Sequence, residues 1–364
     1  MILLFLSSGL FLGWSLGAND AANVFGTAVG TKMIRFKTAA WICSLFVILG
    51  AVISGTGASN TLGSLGAVDA IAGSFMIAAS AAITVFWMSK LKIPVSTSQA
   101  IVGAIIGWNF YTGSTTDPHT LTKIVSTWIV CPLLAGLFAA FLFLAFKAFF
   151  NKAQIHLLKL DLYTRLGLIV VGALGSYSLG ANNIANVMGV FVSVSPFKDL
   201  NILGVFTLSS SQQLFFVGGL AIALGVSTYS NKVMTTVGRS LFRLSPEAAL
   251  VVVLSHALVL LLFSSQGLET WLTSHGLPAI PLVPVSSTQA VIGAIIGIGI
   301  LKGTKSINYG ILGEIALGWV VTPIVAGIIT FIALFFLQNV FNQEVSRQIA
   351  LNLSSWQNFV GIGV

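Results

Sequence analysis

Four consecutive polar side chains follow a proline at Pro94-Val95-Ser96-Thr97-Ser98-Gln99, and the arrangement returns at Pro284-Val285-Ser286-Ser287-Thr288-Gln289. Proline stops the preceding helix because it lacks an N–H and restricts the residue before it. Serine and threonine are preferred N-caps, so each of these polar knots is expected to open a new helix. The first N–H groups of a helix are unsatisfied and carry the positive end of its dipole, which makes them an anion site. The hydroxyls of Ser96, Thr97, Ser98, Ser286, Ser287 and Thr288 and the amides of Gln99 and Gln289 add donors, and no fixed cation stands in either knot to hold an anion too tightly. Two such helix starts facing each other would hold one tetrahedral oxyanion. N-capping alone explains a single knot; duplication in apolar surroundings favours a ligand.

A second chemistry-bearing pattern is Gly17-Ala18-Asn19-Asp20-Ala21-Ala22-Asn23, with its counterpart Gly180-Ala181-Asn182-Asn183-Ile184-Ala185-Asn186. Asp20 is a carboxylate inside an apolar segment, which is expensive and functional by default. Asn19, Asp20 and Asn23 offer oxygen ligands, and a helix interruption at this motif would add free carbonyls, a set suited to Na⁺. The carboxylate serves equally as a proton carrier. The counterpart, Asn182, Asn183 and Asn186, contains no acid. Asp69 and Glu314 are read as packing or interface residues, and His256, in an apolar helix, as a core residue.

These residues are set in a chain of 364 residues that is 56% hydrophobic and 7% charged, far below the roughly 25% charge of soluble domains. Long apolar runs, among them 38–57, 67–89, 124–150, 246–266 and 307–338, each approach or exceed the roughly 20 residues of a membrane span. The fold class is therefore an all-α polytopic membrane protein. The net charge of +8 reflects Lys and Arg gathered in short loops and excludes nucleic acid as its explanation. Cys43 and Cys131 fall in apolar segments as small core residues. No G-x-x-x-x-G-K-[ST] motif is present, which argues against ATP-driven transport by this chain. The four histidines are unrepeated, which argues against an enzyme, and clustering of polar residues at two sites argues against a continuous channel.

The chain is duplicated. Leu16–Gly26 matches Leu179–Gly189 at eight of eleven positions, and Ile93–Gly107 matches Val283–Gly297 at ten of fifteen. Trp128, Val130, Pro132 and Gly136 return as Trp319, Val321, Pro323 and Gly327. The offsets are 163, 190 and 191, so the second half carries about 27 extra residues between its first two motifs. Residues 1–160 are assigned to repeat one, 161–338 to repeat two, and 339–364 to a C-terminal tail whose Phe341, Val345, Ile349 and Leu353 fit an interfacial helix. Basic loops at 31–37, 151–161, 231–245 and 302–306 face the cytoplasm under the positive-inside rule, while 58–66, 112–121, 195–201 and 267–282 face out. The repeats then run in inverted topology, the architecture of secondary transporters with a site where the halves meet. Both termini fall outside, helices are broken at the Asn motifs, and re-entrant helical hairpins are expected at the knots.

Taken together, the two GAN motifs and the two Pro-Val-Ser knots resemble the inorganic phosphate transporter family over nearly the whole chain. The resemblance implies a secondary transporter, not an enzyme, that imports phosphate by symport with Na⁺ or H⁺, without a cofactor, in the plasma membrane and often as a homodimer. It implies phosphate at Ser96, Thr97, Ser98 and Gln99 with Ser286, Ser287, Thr288 and Gln289 opposite. It places the cation, Na⁺ included, at Asp20 with Asn19 and Asn23, and at Asn182, Asn183 and Asn186. The chain departs from the family pattern at Asn183, where an acid is usual. Short members include sulfate permeases, and no acceptor in either knot demands a protonated oxyanion, so sulfate stays open.

Overall fold

A computed structural model describes residues 2–66, 68–90, 95–153, 156–202, 206–236, 245–303 and 309–347. Lys92, Pro94, Arg239, Arg243, Lys305, Ile349 and Leu353 lie outside the described residues. Repeat one contains α1 (Ile2–Gly30), α2 (Phe36–Ser54), α3 (Thr56–Gly66), α4 (Ile71–Lys90), α5 (Thr97–Thr112) and α6 (Pro118–Ala153). Repeat two contains α7 (Leu157–Met188), a 3-10 turn, a small hairpin of β1 (Leu200–Ile202) and β2 (Phe206–Leu208), then α8 (Ser210–Thr228), α9 (Ser230–Thr236), α10 (Pro246–Leu262), α11 (Gln266–Ser274), α12 (Ser287–Lys302) and α13 (Tyr309–Asn339). Seven described helices are long and apolar enough to cross a membrane, and α10 with α11, bent by 64°, adds an eighth if the pair is one broken span.

Local sequence sets where the helices start. Ser209 and Gln212 form a reciprocal capping box at α8, with Ser209 Oγ accepting from Gln212 N at 3.2 Å and Gln212 Oε1 accepting from Ser209 N at 3.0 Å. Ser245 caps α10 and Pro246 occupies its first turn. Asp117 precedes α6 and accepts from Thr120 Oγ1, from Thr120 N and from His119 N. These bonds, the Thr120 hydroxyl first among them, hold the Asp117 carboxyl below its ordinary pKa.

The repeats exchange partners. α1 packs on α8 and α7 on α2, while α5 packs on α13 and α12 on α6. Each contact joins one repeat to the other, as an inverted pair related by a pseudo-two-fold requires. The 27 extra residues split in two. The offset is 174 from α2 to α8 and 175 from α4 to α10, and reaches 190 from α5 to α12. The β-hairpin fills the first insertion and α11 the second.

Two expectations are corrected. α1 and α7 run through the Asn motifs without interruption; the breaks lie at Gly55 between α2 and α3, at Tyr229 between α8 and α9, and between α10 and α11. The glycines of the motif serve close packing instead of unwinding. A Cβ on Gly17 would lie 2.0 Å from Ile222 O of α8, and one on Gly180 2.1 Å from Val47 O of α2. The small-residue stretch 58–66 is helical (α3) and not a loop, held by packing on α7 and α5. At the start of the tail, residues 340–346 are turn and coil; Val345 is buried, its carbonyl accepts from Trp108 Nε1 at 3.0 Å, and Arg347 N donates to Asp69 Oδ2 at 3.1 Å.

α5 and α12 have sixteen residues each, about 24 Å at 1.5 Å per residue, short of a hydrocarbon core of about 30 Å. Their seats are the repeated Pro and Gly of α6 and α13. A Cβ on Gly103 would meet Pro323 O at 2.0 Å, and one on Gly293 would meet Pro132 O at 2.1 Å. Backbone cannot step aside as a side-chain tip does. Gly103→Ala and Gly293→Ala are each expected to cost about 1–3 kcal/mol by overpacking and to lower the thermal midpoint in detergent. Gly63→Ala, inside α3 with nothing within 4 Å of the new methyl, is expected not to lower it, since alanine is the better helix former.

Candidate functional site

Both knots open helices as expected. Ser96 and Ser286 have extended backbone and accept from Gln99 N and Gln289 N, each at 3.3 Å. Ser96, Thr97, Ser98, Gln99, Ser286, Ser287 and Gln289 are all buried, and Thr288 is half-buried. The knots touch: Ser98 Oγ of the first donates to Val285 O of the second at 3.0 Å. Two helix N-termini therefore meet inside the protein, one from each repeat.

Each Asn motif bonds a knot hydroxyl of the other repeat, and the second motif also holds its own knot. On α1, Asn23 Nδ2 donates to Ser287 Oγ at 2.9 Å and lies 3.5 Å from Thr288 Oγ1. On α7, Asn186 Nδ2 donates to Ser98 Oγ at 2.9 Å and to Asn183 Oδ1 at 3.0 Å. Asn182 clasps the extended segment ahead of α12, donating to Val283 O at 3.1 Å and accepting from Val285 N at 2.9 Å. That segment has no helix or sheet to satisfy its backbone, so the amide supplies both partners.

Some expected ligands stand apart. Asn19 Nδ2 bonds back to Ser15 O of its own helix at 3.1 Å. Asp20 is 7% exposed, and among the described residues its carboxyl has no hydrogen-bond or ion-pair partner. It lies one turn before Asn23, a spacing that shares a helix face. The continuous α1 leaves no freed carbonyls at this point, so the available ligands are side-chain oxygens. Other buried atoms are unpartnered: Gln99 Oε1, Gln289 Oε1, Asn183 Nδ2 and Asn186 Oδ1. Unmatched acceptors and donors collected around two helix starts are what a site for a polar ligand leaves when only protein is counted.

One residue of the cluster escaped the sequence reading. His256 of α10 is fully buried, and its Nε2 lies 2.9 Å from Ser287 Oγ. It belongs to the polar cluster and not to an apolar core. The signal was its ionisable character inside an apolar helix; the 31 residues separating it from Ser287 hid the contact. A polar cavity of about 520 Å³, with Asn60, Thr61, Lys123, Gln266 and Glu269 in its walls, reaches Leu282 and Val283 beside the Asn182 clasp. The larger cavity, about 770 Å³ between α5 and α13, has apolar walls and contains no knot residue.

A helical membrane protein of inverted repeats, with a buried polar site where they meet, is of the transporter class and not an enzyme. The phosphate transporter family's sequence profile matches residues 16–330 and 279–360, and the chain belongs to that family. A relative in Methanocaldococcus jannaschii, provisionally named a phosphate permease, is 28% identical and aligns over 88% of this chain and 93% of its own. The sulfate permease CysP of Bacillus subtilis is 29% identical over 89% of this chain and 84% of its own. A solved structure described as the sodium-dependent phosphate transporter superposes with a TM-score of 0.74 at 22% identity, covering 93% of this chain and 98% of that one.

Asn182→Ala removes the acceptor of a buried backbone N–H, and an orphaned buried donor costs about 1–3 kcal/mol. The variant is expected to lower the thermal midpoint and speed amide exchange at Val285. Asn182→Asp, which keeps an acceptor, is expected to retain most protection at Val285.

Proposed function

We propose that the protein imports inorganic phosphate across the plasma membrane by symport with a cation, Na⁺ or H⁺. The observation that carries this reading is the meeting of two buried helix starts, one from each repeat, joined by Ser98 and Val285 and each held by an asparagine of the opposite repeat. Donors from Ser96, Thr97, Ser98 and Gln99 and from Ser286, Ser287, Thr288 and Gln289 surround the proposed anion. Asp20, with Asn23 on the same face and Asn19 alongside, is the proposed cation ligand, and Asn182, Asn183 and Asn186 form the acid-free counterpart. Repeats at 1–160 and 161–338 with a tail at 339–364, termini outside and assembly as a homodimer complete the proposal. The polar cavity at Lys123 and Glu269 is the proposed access path.

Sulfate is the second reading, favoured by the likeness to CysP. The unpartnered amide oxygens Gln99 Oε1, Gln289 Oε1 and Asn186 Oδ1 support phosphate, because they accept hydrogen bonds and phosphate keeps an O–H at neutral pH while sulfate has none. The likeness to a sodium-dependent transporter makes Na⁺ the first cation to test.

Uptake of labelled phosphate and labelled sulfate into proteoliposomes, under imposed Na⁺ or H⁺ gradients, decides these points. Phosphate uptake driven by one of the two gradients is expected; preferred sulfate uptake or gradient-independent uptake would overturn the proposal. Asp20→Asn is expected to abolish gradient-driven accumulation, measured in the same vesicles.

A further inference from the structure

The bonds around Ser287 define the direction of its proton. A hydroxyl has one hydrogen to donate and two lone pairs to fill. Asn23 Nδ2 fills one lone pair from 2.9 Å, and His256 Nε2 stands at 2.9 Å. If Nε2 accepted, the Ser287 hydrogen would be spent on the imidazole, and an N–H would sit at Nδ1, which is buried with no partner. If Nε2 carries the hydrogen, both lone pairs of Ser287 are filled and its own O–H is released toward the knot. Only a lone pair at Nδ1 then goes unmatched. Orphaned buried N–H groups are the rarer defect, which selects the second arrangement.

The first knot is built differently. Ser98 accepts from Asn186 and spends its hydrogen on Val285 O. The eleventh residue of α4, at the position His256 holds in α10, is Ala81. The duplicated site is therefore asymmetric: Asn186 bonds Ser98, the counterpart of Thr288, whereas Asn23 bonds Ser287, and of these two serines one has its hydrogen committed and the other has it free.

We propose that His256 is a positioning residue for the anion: its Nε2–H occupies Ser287 Oγ and turns the Ser287 hydroxyl into a donor for the bound oxyanion. This inference rests on the knots being the anion site. The test is initial-rate phosphate uptake in proteoliposomes, resolved into KM and maximal rate. His256→Phe keeps the ring volume and removes the donor; it is expected to raise KM about tenfold, the effect of one lost hydrogen bond, with the maximal rate within about twofold. His256→Gln carries an N–H at a similar reach and is expected to bring KM back to within about threefold of the parent. Ser287→Ala added to His256→Phe is expected to raise KM no further, because His256 acts through that hydroxyl. A parental KM in His256→Phe, a Gln variant as impaired as Phe, or full additivity with Ser287→Ala would each overturn the inference. If the Phe variant does not reconstitute, His256→Asn, whose shorter amide does not reach Ser287, takes its place. Gln289→Ala runs alongside: an unchanged KM there overturns the knot site itself, whereas a raised KM there with a parental KM in His256→Phe overturns only the role of His256.

Discussion

The extended segment 283–286 ahead of α12 and the extended cap Ser96 ahead of α5 lie buried in a protein with little charge. Every N–H and C=O there must find a partner within the protein, since an unsatisfied polar group in such surroundings costs several kcal/mol. Serine caps answer part of that demand. The rest is met within repeat two by Asn182 on Val283 and Val285, and across the repeats by Ser98 on Val285 and by Asn23 and Asn186 on the knot hydroxyls. The knot hydroxyls Ser98 and Ser287 are each bonded by an asparagine of the other repeat, so the site is complete only when the two halves pack.

Packing enforces the same dependence. The short helices lean on the opposite repeat, where Gly103 and Gly293 meet the carbonyls of Pro323 and Pro132, and α1 and α7 approach α8 and α2 through Gly17 and Gly180. With so little room at these crossings, a knot moves only together with the helix it rests on. That mechanical link is suited to exposing a site alternately to the two sides of a membrane. The symmetry is imperfect where chemistry is concerned: Asp20 faces no acid at Asn183, and His256 has Ala81 at its counterpart position.

Much of this was legible in the sequence because polar residues are scarce in it. Ser96–Gln99 and Ser286–Gln289 stand out against apolar neighbours, their spacing after proline fixes a helix start, and their repetition implies that two starts converge. The crossing of Asn23 to the second knot and Asn186 to the first was not legible, since it depends on which helices pack. The same limit explains the misread glycines. Gly17 beside Asn19 and Asp20 looks like a helix break until Ile222 O is seen pressed against it. Residues 58–66, rich in Gly, Ser and Asn, have poor helix propensity, yet packing on α7 and α5 makes them helical. His256 was passed over because no local pattern ties it to Ser287.

The central claim is that one oxyanion is held between the two helix starts. The most direct measurement is a structure of the protein with phosphate bound, determined by cryo-electron microscopy in a lipid environment. A single tetrahedral density within hydrogen-bond distance of both the Ser96–Gln99 and the Ser286–Gln289 segments is the expected result. Phosphate resting on one knot alone, or bound away from both, would contradict it.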